Sequence, residues 1–150
     1  MKKFELFLGG TFVLGRIFAL CNVPVYGFLT LMSASVLYLY YLFLSFYLLN
    51  GKKWGDIFRK VTYRNAEVYQ SVVSILAGII LSSFVYGILN VVMHWTKTLI
   101  VVYTPIVFIV FISLVLLFGL KNEKYKQFAK QNLFRILIVV LIGITSVILL

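Results

Sequence analysis

Acidic side chains are scarce in this sequence, with four Asp and Glu against fourteen Lys and Arg in 150 residues. Glu5, Asp56, Glu67 and Glu123 are spread singly, so no two carboxylates sit together for general acid and base work. One cysteine, Cys21, and one histidine, His94, rule out an intramolecular disulfide, a CxxC pair and a thiolate cluster for zinc or iron–sulfur. A P-loop, a Gly-rich dinucleotide turn, an HExxH helix and a serine beside a histidine–acid pair are also missing. The expectation is a non-catalytic protein with no metal or cofactor. Cys21 is then a small packing residue, and His94, next to Trp95, a surface residue.

Charge as a whole is scarce as well. Only 12% of the residues are charged and 63% are hydrophobic, whereas about a quarter of a soluble domain is charged. The apolar runs leave no stretch for a separate soluble core, so residues 1–150 read as one all-α membrane domain, a polytopic helical bundle. A net charge of +10 in such a chain points to the positive-inside rule more economically than to nucleic acid. Lys2 and Lys3 precede an apolar run as in a signal peptide. Arg16 interrupts that run and no small-x-small cleavage site follows, which predicts a retained helix.

Crossing the hydrocarbon core takes about 20 apolar residues in a helix, because lipid satisfies no backbone amide. Four runs qualify readily, at 25–49, 68–92, 99–120 and 133–150, and a fifth at 4–21 is marginal. With five spans, Lys2, Lys3 and the loops around Lys52 and Lys121 share one side, and only Lys97 lies opposite. With four spans and an interfacial N-terminal helix, Lys2, Lys3 and Arg16 move to the outer side. The positive-inside rule favours five spans, N-terminus inside and C-terminus outside. Asn22-Val23-Pro24 and His94 to Thr98 then form the external turns, with Trp95 as an interfacial anchor.

The two hairpins match at an offset of 72 residues: Phe12-Val13-Leu14-Gly15 with Phe84-Val85-Tyr86-Gly87, Asn50 with Asn122, and Lys52 with Lys124. This predicts an internal repeat, 1–65 and 73–135, with both copies facing the same way, unlike the inverted repeats of many transporters. The stretch Gly15-Arg16-Ile17-Phe18-Ala19-Leu20-Cys21-Asn22-Val23-Pro24, with Gly87-Ile88-Leu89 and Met93-His94-Trp95, resembles the membrane hairpin of the L subunit of the gliding-motility and type IX secretion motor and of related small inner-membrane proteins from Bacteroidetes. The resemblance covers about 20 residues of each hairpin and implies a bacterial inner-membrane location. It does not carry over the motor activity, because the family's membrane carboxylate has no counterpart in 25–49.

Arg16 is the clear intramembrane charge, read either as part of a solute or anion site or as a residue that snorkels to the interface. Glu5 and Glu67 are expected to cap and orient their helices. Thr11, Gly15 and Ala19 form one line of small residues, and Ser74, Gly78 and Ser82, with Gly87 on an adjacent line, form another; the two are expected to pack on each other or on another subunit. Pro105 either kinks its helix or sits in the first turns. In 51–65, Trp54, Ile57, Phe58 and Val61 recur at helical spacing among Lys52, Lys53, Arg59, Lys60 and Arg64. In 121–135, Tyr125, Phe128, Ala129 and Leu133 do so among Lys121, Lys124, Lys126, Lys130 and Arg135. Both segments read as amphipathic helices lying in the headgroup plane, a basic face for anionic lipid or for an acidic or nucleic-acid-bearing partner. The functional expectation is an oligomerising or accessory subunit of a larger membrane complex. A small channel or depolarising effector lined by Ser71, Ser74, Ser82, Ser83 and Asn90, and a small-solute transporter, are the alternatives.

Overall fold

The computed structural model describes residues 2–21, 23–52, 67–95 and 100–148. Among these the chain is helical throughout, with α1 at Lys2–Leu20, α2 at Tyr26–Leu49, α3 at Val68–Val92, α4 at Ile100–Leu120 and α5 at Glu123–Ile148, and no strand. Four of the five, α2 to α5, are long and apolar enough to cross a membrane. Every 18-residue stretch of α1 includes Lys3, Glu5 and Arg16, which sets this helix apart from the others.

Helix ends follow local chemistry. Gly51, at φ +66°, ends α2, with Gly51 N donating to Leu48 O at 3.2 Å and Lys52 N to Tyr47 O at 2.8 Å. The same Schellman pattern ends α3, where His94 N donates to Val91 O at 3.0 Å and Trp95 N to Asn90 O at 2.9 Å. His94 holds the left-handed position, φ +56°, at some steric cost that glycine would not incur. Asn122 caps α5 by accepting the Lys124 amide on its Oδ1 at 3.0 Å.

Helix α3 lies at the centre, with Ala77, Leu81 and Phe84 fully buried. It packs on α2, α4 and α5; α1 packs on α2 and touches α5 only lightly, and α4 packs on α5. Thus α1, α2, α3 and α5 form a ring, and α4 lies outside it. Large apolar side chains such as Phe7, Phe43, Val107 and Phe118 point away from the bundle, a surface that suits hydrocarbon and is too extensive for water.

Two expectations are corrected. The segment at 121–135 is not a separate interfacial helix followed by a span starting at 133. It is the first part of α5, which runs unbroken for 26 residues, about 39 Å. No proline interrupts it and its first glycine is Gly143, so nothing ends the helix near 133. Its apolar stripe meets protein where lipid was expected: Tyr125 stacks on Tyr69 with ring centroids 4.5 Å apart, Phe128 meets the edge of the same ring, and Ala129 is fully buried. The matching segment at 51–65 lies outside the described residues from Lys53 onward, and with it Arg59, Lys60 and Arg64.

Nor do the small-residue lines of α1 and α3 meet each other, since α2 lies between them. A side chain at Gly15 would run into Thr30 of α2, and one at Gly78 into Ser45 and the Tyr41 carbonyl. Gly87 faces α4, where a side chain would collide with the Val101 carbonyl. Pro105, inside α4 and buried, cannot donate to that carbonyl one turn back. Ser74 and Ser82 are buried, whereas Thr11 and Ala19 are only half-buried.

Candidate functional site

The ring of four helices closes on a polar cluster at the end of the bundle that carries Lys121 and Lys124. Glu5 of α1 and Arg135 of α5 form an ion pair, Nε to Oε2 at 3.1 Å, each side chain only 12% exposed. Tyr41 of α2 donates its hydroxyl to Glu5 Oε1 at 2.6 Å. Arg135 Nη1 donates to the Leu48 carbonyl at 3.1 Å, and Asn132 Nδ2 donates to the Leu49 carbonyl at 3.2 Å and to Phe128 O at 3.0 Å. Together with the Schellman bonds, these donors satisfy the last carbonyls of α2, which a helix terminus otherwise leaves orphaned. Positive charge also opposes the negative end of the α2 dipole. The cluster is therefore a latch, joining three helices through one neutralised pair.

Each partner is where its neighbours need it. Asn132 and Arg135 are three residues apart and share one face of α5. Tyr41 comes from the last turns of α2, which runs antiparallel to α1 across the short 21–25 connection and so brings its end level with Glu5. A second contact supports the latch from α3: Asn50 Nδ2 donates to Ser74 Oγ at 2.9 Å.

A groove of about 770 Å³ leads away from the latch along the seam of α1 and α5, floored by Leu37, Val85 and Ile88. Its lining is apolar except for Glu5, Tyr41, Gln131 and Arg135 at the latch end. Leu6 and Phe134 stand on its rims with about two thirds of their surface exposed.

The structure distributes the residues singled out in the sequence unevenly. Lys52, Lys121, Lys124, Lys126 and Lys130 are exposed, but Arg135, expected on that basic face, turns inward to the latch. Glu5 pairs where a helix cap was expected. Glu67 makes no side-chain cap and instead meets the exposed Lys124 at 2.9 Å, a pair that solvent screens. Arg16 is buried, only 5% exposed, near the opposite end of α1. His94 lies outside any group of three or more His, Cys, Asp or Glu able to hold a metal, none of which occurs among the described residues. Tyr41 and Asn132 were missed by sequence reasoning. The available signal was two ionisable residues of opposite sign, Glu5 and Arg135, inside apolar runs at the same end of the bundle, where pairing is the default. Comparison with family models, curated proteins and solved structures finds no match for the chain.

Proposed function

We propose that the chain is a non-catalytic, five-span accessory subunit of a bacterial cytoplasmic membrane, N-terminus inside and C-terminus outside, acting through its basic cytoplasmic end. The observation that carries this reading is the separation of charge at that end. Arg135 is neutralised inside by Glu5, while Lys121, Lys124, Lys126 and Lys130 stay exposed on the ends of α4 and α5. An exposed basic cluster at an anionic bilayer surface attracts lipid headgroups or an acidic cytoplasmic protein.

The latch also supports counting α1 as a span. Of its charges, Glu5 is paired with Arg135, which lowers the cost of placing the helix in lipid. Its 19 residues, about 28 Å, lie along α2, which is itself apolar enough to cross. The offset of 72 residues reappears in the contacts, since Gly15 seats against Thr30 and Gly87 against Val101 and Val102, which supports the repeat.

The packing favours this reading over a pore. Of its five candidate lining residues, Ser74, Ser82 and Asn90 are buried within the chain, with Ser82 bonded to Ile79 O and Asn90 to Tyr86 O, while Ser71 is half-buried and Ser83 exposed. Three of the five are therefore turned away from any surface that several copies would line.

In native mass analysis of gently solubilised membranes the chain is expected in an assembly larger than itself, released by Lys121→Gln, Lys124→Gln, Lys126→Gln and Lys130→Gln combined. A chain running alone in both forms contradicts the proposal.

A further inference from the structure

We propose that the groove between α1 and α5 holds one acyl chain of an anionic phospholipid from the cytoplasmic leaflet. The proposal rests on the membrane placement proposed above but not on the role given to the basic end.

Length is the first argument. Along α5 the lining runs from Gln131 to Gly143, about 18 Å at 1.5 Å per residue, close to the roughly 15 Å of a single leaflet's hydrocarbon. Polarity is the second: a polar end at Gln131 and the latch, then apolar lining throughout, repeats the order of headgroup and chain in a lipid. Gly9 and Gly10 keep the α1 wall low, and a Cβ at either meets nothing within 4 Å. Charge is the last. Lys3 lies one turn before the rim residue Leu6, and Lys130 one turn before Phe134. Both lysines are exposed and neither takes part in a salt bridge among the described residues, so a lysine flanks each wall where a phosphate would lie.

The test is native mass spectrometry of the full chain, exchanged into mixtures of phosphatidylglycerol and phosphatidylethanolamine. The expected result is one retained phosphatidylglycerol per chain. Gly9→Leu with Gly10→Leu puts side chains into the groove from positions where a Cβ meets nothing within 4 Å, and should lower that occupancy at least tenfold with the melting temperature unchanged. Val13→Trp on the rim gives an independent block. Lys3→Gln with Lys130→Gln should keep a bound lipid but reduce the preference for phosphatidylglycerol by about 30-fold, five- to sixfold for each lysine at an anionic site. Equal retention by the wild type and both groove-filling variants overturns the proposal, as does a homodimer that those variants dissociate. Either result leaves the accessory-subunit reading standing, because its lysine variants are scored by assembly size.

Discussion

Arg135 shows how a single side chain changes meaning with its surroundings. As a letter in the sequence it belongs to a basic cluster; in the fold it neutralises Glu5 and caps α2. Removing one partner of a buried pair leaves the other charge unpaired, so Arg135→Ala should destabilise the protein by about 3–5 kcal/mol, read as a lowered thermal midpoint in detergent. Replacing both, Glu5→Leu with Arg135→Met, should recover part of that loss, because an apolar pair removes the desolvation penalty but leaves the buried Tyr41 hydroxyl without its acceptor. Tyr41→Phe removes a single hydrogen bond to a charged acceptor and should cost about 1.5–3 kcal/mol in the same assay. If the three variants melt together with the wild type, the cluster contributes nothing to stability and the latch assignment fails.

Among the elements, α3 carries the strictest packing demands. Its contact with α2 depends on Gly78, where any side chain meets Ser45 and the Tyr41 backbone. Gly78→Leu should therefore separate the two helices and lower the thermal midpoint sharply, whereas Gly10→Leu, facing open space, should not. A reversed order of these two midpoints would contradict the helix arrangement. Gly15, Gly78 and Gly87 each meet a neighbouring helix closely, as small residues on a helix face allow. Which neighbour each meets was not legible, because periodicity along one helix says nothing about which neighbour fills the groove. The stripe of Tyr125, Phe128, Ala129 and Leu133 teaches the same lesson. An amphipathic face calls for an apolar partner, and Tyr69 answers that call as well as lipid does.

For the molecule as a whole, topology decides which helix ends face the cytoplasm. The five-span proposal expects Cys21, which is exposed, to react with an impermeant thiol reagent added from outside. It also expects a reporter fused at the C-terminus to be active outside. A tag at the N-terminus accessible from outside, with the C-terminus still outside, would place α1 on the outer membrane surface and return the count to four. The lateral groove follows from the same global arrangement, since α1 and α5 meet at Glu5 and Arg135 and leave a gap beyond that pair.

The sequence by itself determined the helical class, the apolar runs with their approximate limits and the lack of known catalytic motifs. Each of these depends on local composition and on the rule that backbone amides in lipid bond within their own helix. Tertiary structure alone decided that α2 separates the two small-residue lines and that Glu5, Tyr41 and Arg135 meet. The latch joins Tyr41 to Glu5 across 36 positions and Arg135 to the Leu48 carbonyl across 87. Contacts at that range are set by how whole helices fit together, and no short stretch of sequence encodes them.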